Sequence, residues 1–153
     1  MELPQVIREA LEIQVIEHEP ARAALVLRDA VSELGPEAVA GGLLDGAAVA
    51  LRRMVAETDE AYDQDELLER LAVDGAVAPD SLDTLGHMLT MAAATAGGVR
   101  PSVDPVVEQL GAERTLFGAW LALLATIRIV AISLERTEVD VTEEVVTVLE
   151  PPR

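Results

Sequence analysis

The groups able to do acid–base or ligand chemistry in this chain are 28 carboxylates, two histidines and eleven basic residues, every one of them arginine. Cysteine is absent, so disulfides, thiolate catalysis and thiolate-bound zinc are excluded. His18 stands between Glu17 and Glu19 at the end of a helical pattern. Neighbours in sequence point in different directions on a helix, so these three do not chelate together. The helix dipole is reason enough for a histidine there. His87 follows Asp83 by four residues, the spacing of a solvated helical pair. No His-Glu-x-x-His run occurs, and the glutamates do not form the two Glu-x-x-His pairs of a di-iron bundle.

The acidic stretch 57–66 lacks the glycine and glutamate positions of a calcium loop. Ser32, Ser81, Ser102 and Ser133 have no Gly-x-Ser-x-Gly context. Neither a phosphate-binding loop ending in Gly-Lys nor a Gly-x-Gly-x-x-Gly run is present. The expectation is therefore no catalytic residue, no metal and no cofactor.

The elements that must position these groups read as helices. Leu3, Val6, Ile7, Ala10, Leu11 and Gln14 follow helical spacing over 3–18. Pro20 opens a second helix running to Leu34, and Gly35-Pro36 is a stop and restart. A third helix, about 37–56, carries Gly42, Gly46 and Ala50 four apart. Interior glycines cost about 1 kcal/mol each relative to alanine, so another backbone is expected to approach closely there. Asp63 and Glu66 have the spacing of a capping box before Leu67, and Asp74-Gly75 with Pro79 bounds a loop. A helix follows at 82–96 with a second ridge of small residues, Gly86, Thr90, Ala94 and Gly98. After the break at Gly97–Pro101 come a short piece at 105–110 and the longest helix, 112–136. Residues 138–149 are rich in β-branched side chains and fit either a helix capped near Asp140 or a strand; the helix is favoured.

The fold class is thus all-α: a single-domain helical bundle (1–150) of six to eight helices around a central apolar helix, with residues 151–153 frayed. From Thr115 to Leu134 that helix carries one charge, Arg128. It has the length of a membrane span. The mid-span arginine, the absence of a one-sided basic flank and the amphipathic, acidic neighbours favour a sheathed core helix instead. The start, Met1-Glu2-Leu3-Pro4, does not read as a signal peptide, and a cytoplasmic location is expected.

The net charge of −17 repels phosphate, so neither nucleic acid nor an anionic membrane is an expected partner. With only Tyr62, Phe117 and Trp120 as aromatics, a base-stacking platform is not expected either.

Asp45, His87 and Arg128 interrupt the most apolar segments, and a shared buried pocket is one reading of them. Helical geometry favours another. Arg128 lies within about 40° of Arg114 and about 20° of Glu135 at 100° per residue, and Phe117, Leu121, Leu124 and Ala125 fill the strip between. A strip that is apolar in the middle and charged at its ends fits a subunit seam. The leading functional expectation is a non-enzymatic interaction or regulatory protein that self-associates as a dimer. A second is an enzyme or carrier that encloses a hydrophobic small molecule among Met54, Met88, Met91, Trp120 and Arg128, with His87 in reach. A third is an acidic mimic that binds a basic protein.

Overall fold

A computed structural model describes residues 2–58, 65, 66, 69 and 79–149. Seven α-helices occur among them, and no strand does: α1 (Leu3–Leu11), α2 (Pro20–Leu34), α3 (Pro36–Thr58), α4 (Pro79–Ala96), α5 (Asp104–Leu110), α6 (Ala112–Ser133) and α7 (Glu138–Leu149). The chain is an all-α bundle, as its periodicity predicts. Asp65, Glu66 and Glu69 are helical and exposed. The remainder of the helix expected after Asp63, the loop at Asp74-Gly75 and the frayed end at 151–153 lie outside the described residues.

Two long helices share the centre. α6 packs most extensively against α3, and also touches α4, α5 and α7. The side chains that meet are small or aliphatic, which permits close approach in a core with almost no aromatic residues. Trp120 is 4% exposed and sits in this core with Met54, Met88 and Met91. α6 is long and apolar enough to cross a membrane, and 67% of its most apolar 18-residue window is buried by the other helices.

The glycine ridge on α3 receives side chains rather than a neighbouring backbone. A Cβ on Gly42 would lie 2.6 Å from Leu3 Cδ2 of α1, and one on Gly46 would lie 3.1 Å from Leu123 Cδ1 of α6. Each glycine is a hole filled by a leucine. The 86–98 ridge is not a close crossing: Thr90 and Gly98 are exposed, and Gly86 and Ala94 half-buried. The tight α4–α6 contact is made instead at Gly118, where a Cβ would meet Thr84 Cγ2 at 2.7 Å.

The first helix departs from α geometry after Leu11. Glu12–Ile16 form a π turn, closed by the Glu19 amide donating to Ile13 O at 3.0 Å with His18 in the left-handed region (φ 58°). Here the inward series would have reached polar Gln14; apolar Ile13 is buried instead and Gln14 is half-buried. The α6 terminus closes similarly, with Glu135 at φ 54° and the Arg136 amide donating to Ala131 O at 2.8 Å.

Residues 138–149 are helical. Thr137 caps them, its Oγ1 accepting from the Asp140 amide at 3.1 Å, and Glu138 and Asp140 favour the positive end of the dipole. Val141, Val145 and Val146 are buried, and this burial outweighs the β preference of valine.

Thr142 departs from a pattern. Thr58, Thr90, Thr95, Thr115, Thr126 and Thr147 each donate their hydroxyl to the carbonyl four residues back. The Thr142 hydroxyl, in a residue only 2% exposed, makes no hydrogen bond. A buried orphan hydroxyl costs about 1–3 kcal/mol in lost hydration. Valine has nearly the same shape and helix propensity. Thr142→Val is expected to stabilise the fold by about 1 kcal/mol, read as a higher urea midpoint at unchanged m. A lower midpoint would show that the hydroxyl has a partner.

Candidate functional site

The outer face of α6 carries the strip singled out by its sequence. Arg114 is exposed, with Nη2 3.4 Å from Thr84 Oγ1. Phe117, Leu121 and Leu124 are half-buried, Ala125 is buried, and Arg128 and Glu135 are exposed. Ile132 extends the apolar surface at 58% exposure. One margin is formed by α2: Arg28 Nη2 donates to Glu113 Oε1 at 3.0 Å, and its guanidinium lies 5.2 Å from the Phe117 ring centroid. Leu25, 56% exposed, stands one turn before Arg28 on the same face of α2. The other margin is α4, where Thr84 and Met88 meet Gly118 and exposed His87 follows Thr84 by one turn.

Arg128 differs from the other arginines. Among the described residues it is the one arginine that makes no hydrogen bond, ion pair or ring contact.

Asp45, His87 and Arg128 do not share a pocket. His87 and Arg128 are solvent-exposed, while half-buried Asp45 accepts from Arg100 Nη2 at 2.8 Å. On the face of α3 that carries Asp45 and Arg52, Gly41 and Ala48 are buried. The turn after α4 covers it, as Arg100 reaches back over Gly41. Arg52 Nε and Nη2 donate to Ala96 O and Thr95 O at 3.1 and 2.8 Å at the C-terminal end of α4, where Thr95 O also accepts from the Gly98 amide at 3.0 Å.

Helical spacing does not reveal a second feature, a trough of about 850 Å³ between α3 and α7. Val49, Ala50, Val141, Val145 and Val148 supply its apolar lining. At one end four charges close a ring. Glu57 Oε1 lies 2.6 Å from Arg53 Nη2 and 2.9 Å from Arg136 Nη2. Glu144 Oε1 accepts from Arg136 Nη1 at 2.5 Å. Glu144 Oε2 is buried without a hydrogen bond and has only an ionic contact with Arg53 Nε at 3.3 Å. The Arg53–Glu57 half is visible as an i, i+4 pair; the halves joined by folding carry no local signal. Met54, Met88, Met91 and Trp120, expected as candidates for a ligand cavity, are core residues and do not line this trough. Among the described residues, no three His, Asp or Glu side chains are grouped as a metal ion would need.

The chain matches no family model, no curated protein and no solved structure.

Burial pushes the Asp45 carboxyl above its ordinary 3.8, and the attraction of Arg100 and then Arg52 only partly reverses this. In the window between 3.8 and the raised value, the folded state binds more protons than the unfolded one. Stability from this group therefore rises as pH falls through that window and is lost as pH rises above it. Asp45→Asn is expected to be at least as stable as the parent at pH 7, and this difference should move in the parent's favour toward pH 4. Urea titrations at the two pH values check it. A variant weaker at pH 7, with the gap closing in acid, would mean that the Arg100 ion pair outweighs burial.

Proposed function

We propose that this chain is a non-enzymatic interaction protein that self-associates through the outer strip of α6. One observation carries the reading: an exposed arginine with no partner among the described residues of its own chain, at the end of a half-buried apolar strip. Arg22, Arg28, Arg52, Arg53, Arg100, Arg114 and Arg136 answer carboxylates, carbonyls or a hydroxyl of the same fold, so a lone one beside Leu124 is read as a group whose counterpart lies in another molecule. Charge favours the same strip. Two copies, each at −17, repel one another, so association needs a surface of low charge density. From Thr115 to Leu134 only Arg128 is charged. The sheathing of α6 by the other helices supports a soluble chain, and the cytoplasm is the location that goes with this reading.

Sedimentation velocity across a concentration series tests this. A reversible dimer is expected, strengthened as salt rises to about 0.15 M because screening weakens the long-range repulsion. Leu121→Asp should weaken it at least 30-fold, about 2 kcal/mol, by placing a charge at the centre of the seam. A parent chain monomeric at all concentrations would refute the reading.

The α3–α7 trough favours a second reading, carriage of a hydrophobic small molecule. Its volume lies within the roughly 300–1,000 Å³ of ligand sites. Val148, 60% exposed, lines it. Saturable binding of 1-anilinonaphthalene-8-sulfonate to the folded chain, reduced at least tenfold by Val148→Trp, is the outcome expected of this reading. Binding that ignores the substitution places the dye elsewhere.

A further inference from the structure

Resting on the self-association just proposed, we infer that the second copy lies antiparallel across α6, on a two-fold axis beside Leu121, with Glu113 of each copy paired to Arg128 of the other. At 100° per residue, Glu113, Phe117, Leu121, Leu124 and Arg128 fall within about 80° of one another, on one face of the helix. Their spacing is symmetric: Glu113 and Arg128 are equally far from a point between Trp120 and Leu121, and so are Phe117 and Leu124. A two-fold axis at that point makes every contact twice. It sets Leu121 against its own copy, Phe117 against Leu124, and an acid against a base at each end. The result is an apolar centre with a charged rim.

The charges select this arrangement over others. A parallel pair would bring Arg128 against Arg128, two like charges with no acid between them. An antiparallel pair centred between Leu124 and Ala125 would match Arg114 with Glu135, but it would leave Arg128 facing Leu121. Of these three arrangements, only the first gives Arg128 a carboxylate. Glu113 is prepared for the role. It is held at the margin by Arg28 through Oε1, while Oε2 has no hydrogen bond, and its side chain is 71% exposed. The Arg28 guanidinium lies over Phe117, which fixes this margin beside the apolar centre.

The test is charge exchange, read by sedimentation on the full chain. Arg128→Glu removes no hydrogen bond or ion pair among the described residues, so it should leave the helical circular dichroism unchanged while weakening the dimer at least tenfold. Glu113→Arg should weaken it similarly, and the double exchange should return it to within about threefold of the parent. A double exchange as weak as the single ones, in a parent that dimerises, overturns this register and leaves self-association standing. A monomeric parent overturns self-association itself.

A distance measurement decides the register independently. The chain has no cysteine, so Ser133→Cys at an exposed position provides one labelling site. The 1.5 Å rise per residue places two spin labels about 37 Å apart along the pair in the inferred register. About 25 Å, or less, would overturn it in favour of the Arg114–Glu135 register or a parallel pair.

Discussion

The close packing of α3 against α6 is the constraint on which the rest of the structure depends. With three aromatic residues in the whole chain, the core cannot be filled by large rings, so helices must approach until small and aliphatic side chains touch. Gly42, Gly46 and Gly118 make this possible by removing a side chain where a leucine, threonine or methionine from a neighbour enters. The helical cost of a glycine, about 1 kcal/mol, is offset by contacts that a Cβ would displace. Once α3 and α6 are locked, both have outer surfaces that further helices must cover. α1 and α2 cover α3, α4 packs against both α3 and α6, α5 lies along α6, and α7 closes the space between α3 and α6.

Arginines then tie the outer helices to this centre. Arg28 links α2 to α6, Arg52 links α3 to the end of α4, and Arg53 and Arg136 share Glu57 and Glu144 between α3 and α7. These side chains are exposed or half-buried, and surface ion pairs contribute only about 0–1 kcal/mol each. Their effect is directional: a planar fork with several donors fixes where one helix end lies against another. In a chain with 28 acids and 11 basic residues, committing the few cations to contacts between helices leaves the rest of the surface strongly negative.

The sequence reading recovered what depends on spacing alone. The helices, the sheathed character of α6, the half-buried row Phe117–Leu121–Leu124 and the exposure of Arg128 all follow from a 3.6-residue period and a charge count. The helix favoured over 138–149 is present, with Thr137 as its cap rather than a residue near Asp140, and Val141, Val145 and Val146 turned inward. Features set by contacts distant in sequence are not legible in this way. Nothing local to Asp45 announces that Arg100, 55 positions later, folds over it. The α3–α7 trough was invisible because its two walls are about ninety residues apart. The glycine ridge was recognised as a place of close approach, but whether a backbone or a leucine fills it depends on the neighbour's register, which periodicity does not encode.

α6 therefore does two things with one composition. Its inner faces, built from Leu116, Ala119, Leu123, Ile127 and Val130, bury against α3 and its neighbours and organise the fold. Its outer face is apolar as well, because a helix at the centre of a small bundle is covered on most sides but not all. Soluble chains usually break such a face with several charges. Here a single arginine interrupts it, and that arginine finds no acid among the described residues. A charge placed only to keep the helix soluble would be served as well by the glutamates so abundant elsewhere in the chain. A lone cation on an apolar face of a polyanion instead creates a specific requirement for a carboxylate, and in the proposed dimer Glu113 of the second copy would meet it without any other molecule.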